Sequence, residues 1–154
     1  MTDLIIWRHA EAAECNDPLL DHQRKLTARG EKQAARVARW LDRQLPQSTR
    51  VRVSPAVRAA QTASALGRSV KVCAELAPGA SWADLLATVL PVKNKGHLLL
   101  VGHQPMLGHL IGHLLGISAE HCQIKKGAVW WLRHKDQDPQ GRTVLLSVQH
   151  PDML

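Results

Sequence analysis

Phenylalanine and tyrosine are missing altogether from this chain of 154 residues, and five tryptophans are its whole aromatic complement. Any core must therefore be filled by Leu, Val, Ile and Ala around a few indole rings. Long apolar runs are missing too. None reaches the roughly 20 residues of a membrane span, and the N-terminus has neither the basic region nor the apolar segment of a secretory signal. A soluble, cytoplasmic protein with no membrane partner is the expectation. Cysteine is sparse and odd in number: Cys15, Cys73 and Cys122 are widely spaced and form no C-x-x-C pair. That pattern lacks a dithiol or zinc motif and predicts free thiols in a reducing compartment. Acidic residues are outnumbered, 13 against 20 Lys and Arg, which leaves a formal charge of +7. An anionic substrate or partner follows, without a choice between phosphate, nucleic acid and acidic protein. No repeat, low-complexity stretch or linker interrupts the chain, so residues 1–154 read as one domain, long enough to bury roughly 70% of its unfolded surface.

What is present is an alternation of strand and helix signals. The apolar run Leu4-Ile5-Ile6-Trp7 reads as a buried strand, as do Arg50–Val53, a short Val70–Cys73 and His97–Val101. Thr27 is placed to cap a helix on which Ala34, Val37, Ala38, Leu41 and Leu45 recur with helical spacing up to Pro46. Its other face carries Arg29, Lys32, Arg36, Arg39 and Arg43, a basic stripe read first as a solvated face. Ser54-Pro55 predicts the cap of a second helix to about Leu66, closed by Gly67. A third fits Trp82–Leu90 and a fourth Pro105 to about Leu115, ending at Gly116, with Gly108 and Gly112 allowing close approach. Ala128–Arg133 and Thr143–Val148, separated by a polar loop with Asp136, Asp138, Pro139 and Gly141, predict an antiparallel hairpin. The fold class is therefore α/β, a three-layer α/β/α sandwich whose mostly parallel, mixed sheet ends in that hairpin.

Three of the predicted strands end in the same way. Arg8-His9 follows the first, Arg58 the second, and His103 the run through Gly102. If those strands are parallel neighbours, His9, Arg58 and His103 meet at one edge of the sheet, where open α/β sheets bind ligands. Guanidinium groups bind phosphate bidentately at any working pH, so Arg8 and Arg58, with Arg24, suit a phosphoryl guest. Phosphoryl transfer needs positioning and charge stabilisation more than elaborate machinery. His9 is then the candidate nucleophile, held neutral by flanking positive charge, and His103 a donor to the transferring group.

The segments that carry this site are Leu4-Ile5-Ile6-Trp7-Arg8-His9-Ala10, Leu26-Thr27-Ala28-Arg29-Gly30, Val53-Ser54-Pro55-Ala56-Val57-Arg58-Ala59-Ala60-Gln61-Thr62 and Leu100-Val101-Gly102-His103-Gln104-Pro105. In that order they resemble the histidine phosphatase superfamily, which includes phosphoglycerate mutases and acid phosphatases. The short chain resembles its small SixA-type branch, whose members dephosphorylate phosphohistidine on signalling proteins. The resemblance implies a phosphoglycerate mutase-like fold, a phosphate pocket of Arg8, His9, Arg58 and His103, and a transiently phosphorylated His9, with no cofactor or metal. Arg24 stands where the small branch often has an arginine and is read as a phosphate contact. Ala10 replaces the usual Gly, and Glu11-Ala12-Ala13-Glu14 stands where mutase-like members have Thr and Asn. Glu75 is the one obvious candidate for a general acid beyond the second motif. A phosphohistidine-bearing signalling or phosphocarrier protein is thus the expected partner, with phosphate or another oxyanion in the site.

Three other readings stay in view. A small-molecule phosphomonoesterase would use the same site. A metal site could draw on His109 and His113 at i, i+4, but no Glu or Cys accompanies them at ligand spacing. A basic noncatalytic module for nucleic acid or phosphoprotein fits the net charge, yet no zinc-finger or RNP-like pattern supports nucleic acid, and Trp40 and Trp82 are read as core residues. The hairpin is expected to expose an edge around Trp130-Trp131.

Overall fold

The computed structural model describes residues 1–89, 96–135 and 142–154. The apolar run near the N-terminus becomes strand β1 (Thr2–Arg8), and its residues face both ways into apolar surroundings. Leu4 and Ile6 pack with Leu98, Leu100, Leu107, Leu110 and Ile111 on one side of the sheet. Ile5 and Trp7 pack with Val37, Leu41, Val51, Leu99 and Val101 on the other. A strand covered on both faces has no need to alternate with polar residues, which is why the sequence reads as continuous. Trp7 is fully buried, and its indole Nε1 donates to Gly127 O at 3.0 Å, so the one polar atom of the ring is satisfied.

Among the described residues, six strands form a single sheet: β1, β2 (Arg50–Val53), β3 (Lys71–Val72), β4 (Gly96–Gly102), β5 (Val129–His134) and β6 (Thr143–Gln149), in the order β3-β2-β4-β1-β5-β6. The first four are mutually parallel, while β5 and β6 pair antiparallel. Helices α1 (Ala28–Gln44) and α2 (Val57–Ser64) cover one face; α3 (Trp82–Val89) and α4 (Met106–Leu115) cover the other. This is the expected mixed α/β/α sandwich. On α1 the predicted face of Ala34, Val37, Ala38 and Leu41 is buried, with Leu45 just past its end, and the basic stripe faces solvent. Thr27 caps that helix as expected, its Oγ1 accepting from Gly30 N at 3.0 Å.

The structure departs from the sequence reading in three places. Helix α2 is shorter than predicted, running from Val57 to Ser64, and its N-cap is Ala56 rather than Ser54. Ser54 Oγ instead accepts from Ala56 N at 3.2 Å, one turn ahead of the helix. The Trp130-Trp131 strand is not a sheet edge, because β5 lies between β1 and β6, and β6 is the outer strand. The β6 partner also carries a register shift opposite Trp131 and Leu132, a bulge that twists that edge. Leu90, the predicted end of the third helix, and the loop residues Asp136, Asp138, Pro139 and Gly141 lie outside the described residues. As predicted, α4 ends at Gly116, in left-handed backbone with φ 70°. A Cβ at Gly108 would overlap Cys122 O, so the close approach expected there is real.

Candidate active site

Register places the chemistry. Arg8 of β1 stands opposite Gly102 of β4, and Val53 of β2 opposite Val101. All three strands therefore end at the same level, and hydrogen bonds continue one residue beyond them: His9 N to Gly102 O and Ser54 N to Val101 O, both 3.0 Å. The residues that follow are brought together. The rings of His9 and His103 have centroids 5.1 Å apart, and Arg58 Nε points to His9 Nε2 at 3.4 Å. His9, Arg58 and His103 are 6%, 4% and 4% exposed, so three polar groups share a largely desolvated pocket.

His9 Nδ1 donates to Ala10 O at 2.7 Å, and that bond assigns the tautomer: the hydrogen sits on Nδ1, and Nε2 keeps its lone pair beside Arg58. Burial first, then the charges of Arg58, Arg8 and Arg24, lower the His9 pKa to about 4, although the bond to Ala10 O works the other way. His103 is lowered to about 3, by burial and then by His9 and Arg58, with Asp21 opposing. Both rings are neutral at physiological pH. His103 Nε2 lies 2.7 Å from Ser54 Oγ, whereas its Nδ1 is buried without a partner.

Arg8 is coupled to both histidines through its charge, but its guanidinium bonds elsewhere: Nη1 donates to Ile124 O at 2.8 Å. Its Nε is buried and unpartnered, and the side chain lines a groove of about 420 Å³ with Gln104, His109, Gln123 and Lys125. Arg24 donates through Nε to Ala13 O at 2.7 Å and through Nη1 to Asp21 Oδ1 at 3.2 Å.

Asp21 was given no role by the sequence, yet it organises this corner. It lies in a 3-10 turn (Pro18–Gln23), its Oδ2 pairs with Arg58 Nη2 at 3.1 Å, and its backbone O accepts Arg58 Nη1 at 2.7 Å. Slight burial pushes its pKa up, but the hydrogen bonds and charges of Arg24 and Arg58 hold it below the ordinary carboxylate value. Asp21 thus occupies two of the arginines that the sequence reading takes as phosphate contacts.

Glu75 follows β3 in a 3-10 turn (Ala74–Leu76), and its Oε2 accepts the Cys73 thiol hydrogen at 3.0 Å. That bond, with a backbone hydrogen bond and Lys71, keeps it below the usual glutamate value, so in the resting protein it holds no proton to give. His113 packs against the Trp82 ring with centroids 5.0 Å apart, and His109 lines the groove beside Arg8. Among the described residues, no three His, Cys, Asp or Glu side chains gather as metal ligands.

The remaining motif residues hold the loops in place. Thr62 Oγ1 accepts Ala10 N at 3.0 Å while donating to Arg58 O at 2.7 Å, and Gln61 Oε1 accepts Leu26 N at 2.7 Å. Thr27 Oγ1 donates to Glu11 Oε2 at 2.7 Å, and Gln33 Oε1 accepts Glu11 N at 3.0 Å. At Gly30 a Cβ would overlap the Glu11 carbonyl oxygen, which explains a glycine in the first turn of α1.

A neutral histidine whose Nε2 carries no hydrogen and accepts from Arg58 Nε, a second histidine with an unpartnered nitrogen, and arginines at the carboxyl edge of an open sheet define an α/β phosphoryl-handling enzyme. The chain belongs to the histidine phosphatase superfamily (branch 1), whose family model matches residues 4–81, and it is a phosphatase of the SixA-type branch. It is 33% identical over 119 residues to phosphohistidine phosphatase SixA of Escherichia coli (strain K12), covering 72% of this chain and 73% of that one. Among solved structures, a SixA protein from Nakamurella multipartitia matches with a TM-score of 0.80 and 27% identity over 97% of this chain and 96% of that one. A protein histidine phosphatase SixA complexed with tungstate matches with a TM-score of 0.80 and 26% identity over 97% of both chains. The fold is phosphoglycerate mutase-like, as expected.

Proposed function

We propose that this protein removes phosphate from phosphohistidine on a signalling or phosphocarrier protein, without a metal, through a covalent intermediate on His9. The observation that carries the reading is the His9 ring, whose Nδ1 hydrogen is committed to Ala10 O while Nε2 keeps a lone pair next to Arg58. In the first step, Nε2 forms a bond to phosphorus as the P–N bond of the substrate breaks. The bonding pair leaves on the substrate imidazole, which takes up a proton from solvent. In the second, water forms a P–O bond, the bond to His9 breaks, and its electron pair returns to Nε2. The water proton leaves to solvent or to the released phosphate. In this reading Arg58, with Arg8 and Arg24, balances the oxygens' charge, and the unpartnered nitrogen of His103 donates to them.

The SixA relatives support phosphohistidine as the substrate class, and so does the state of the carboxyl groups. Asp21 and Glu75, on this edge of the sheet, are both held ionised. An alkoxide leaving group needs a proton donor far more than an imidazole does, so a phosphomonoester is the poorer substrate for this site. The test is phosphate release, with chelator present, from a phosphohistidine protein and from a phosphomonoester. The proposal expects higher kcat/KM on phosphohistidine; preference for the ester would assign the same site to a small-molecule phosphatase.

A further inference from the structure

We infer that Ser54 is a positioning residue: its hydroxyl donates to His103 Nε2 and so fixes His103 in the tautomer that presents Nδ1–H to the phosphoryl group. Both ends of this contact are set by strand pairing. Ser54 N is bonded to Val101 O at 3.0 Å as β2 ends, and His103 follows β4 two residues beyond Val101. Ser54 is fully buried, and its Oγ has two partners among the described residues, Ala56 N at 3.2 Å and His103 Nε2 at 2.7 Å.

Only two hydrogen placements are open to a neutral ring. If Nε2–H donates to Ser54, the serine oxygen accepts twice and its own hydrogen is buried with no acceptor. The Nδ1 lone pair would then meet an anionic guest with repulsion. If Ser54 donates instead, Oγ accepts from Ala56 N, its hydrogen goes to Nε2, and Nδ1 carries a hydrogen. The single unfilled group is then a donor, at the one atom of the ring that has no partner. A buried donor left waiting costs free energy in the empty site and is satisfied when an oxyanion enters. Ser54 thus acts on the guest through His103, without touching it.

The catalytic consequence rests on the phosphatase reading, whereas the tautomer does not. The experiment is long-range proton–nitrogen NMR of ¹⁵N-histidine-labelled protein near neutral pH, with His103→Gln to identify the resonances. It is run for wild type, Ser54→Ala and Ser54→Thr, alongside turnover. The expected result is a wild-type His103 protonated at Nδ1 and bare at Nε2, retained in Ser54→Thr. In Ser54→Ala that preference is lost and kcat falls about 10-fold or more, with KM changed far less. A wild-type ring protonated at Nε2 overturns the inference whatever the variants do, as does a Ser54→Ala protein that keeps both the Nδ1–H tautomer and wild-type kcat. An Nδ1–H ring in a protein that hydrolyses no phosphoryl substrate upholds the role of Ser54 and sinks the phosphatase reading instead.

Discussion

A histidine can attack phosphorus only while it keeps a lone pair, and at position 9 the surroundings enforce that state. With its pKa at about 4, His9 is neutral through the physiological range, so kcat/KM should be flat near neutrality and fall on an acid limb near that value. The same shift has a stability consequence with a definite sign. Unfolded histidine titrates near about 6.5, so below that pH the unfolded chain binds a proton that folded His9 refuses. Stability present above about 6.5 is therefore lost as pH falls toward 4, by up to about 1.4 kcal/mol per pH unit for this residue. Urea midpoints at pH 7 and 5 measure the loss, and His9→Gln should reduce it. Asp21 lends itself to a binding test. Replacing it with Asn removes a carboxylate that competes for Arg58 and Arg24, and inhibition by phosphate or tungstate should tighten by a few-fold, the scale of a part-exposed ion pair. Weaker inhibition would mean that Asp21 orients the arginines more than it blocks them. The sequence could not show this, because Asp21 sits in a short turn without periodicity and its partner is 37 residues away on α2. Ser54 was legible as a residue but not in its role: a serine before proline reads as a helix cap until the neighbouring strand puts His103 against it.

At the scale of elements, motifs far apart in the chain interlock, and the loop after His9 depends on the start of α1. Gly30→Ala tests that dependence. Alanine improves intrinsic helix propensity by about 1 kcal/mol, but its Cβ would press on the Glu11 carbonyl, and overpacking against backbone costs about 1–3 kcal/mol. A net loss of stability by denaturant titration is expected; a gain would show that the contact relaxes freely. At the other edge of the sheet, Asp3 accepts from Arg133 Nε at 2.7 Å, Arg133 Nη2 at 2.9 Å and Trp131 Nε1 at 3.0 Å, stitching β1 to β5. Asp3→Asn should cost about 1.5–3 kcal/mol, the range for hydrogen bonds to a charged group. Strands β1 and β4 could be read from sequence because their apolar runs are covered on both faces and each strand leads directly into a histidine, His9 or His103. The place of the hairpin could not, since nothing local to Trp130 and Trp131 says whether β5 or β6 pairs with β1.

The whole molecule carries an excess of positive charge, and the exposed stripe of Arg29, Lys32, Arg36, Arg39 and Arg43 runs along α1 from an N-terminus anchored beside the His9 loop. If the substrate is a protein, that stripe is where acidic side chains around its phosphohistidine would be steered. Arg36→Glu with Arg39→Glu should raise KM several-fold for a protein substrate at low salt and leave a small phosphoramidate unaffected; equal kinetics on the protein would remove the stripe from recognition. In the proposed reaction the phosphoryl group passes through His9. The most direct test of that step is rapid quenching of wild type and His9→Ala with a phosphohistidine substrate, then mass spectrometry of the peptides under alkaline conditions, which preserve phosphoramidates. An acid-labile phosphoryl group on His9 is expected during turnover, and neither that group nor turnover above about a thousandth of wild type in His9→Ala. Steady turnover with no phosphoryl group ever found on His9, or an active His9→Ala enzyme, would contradict passage through His9.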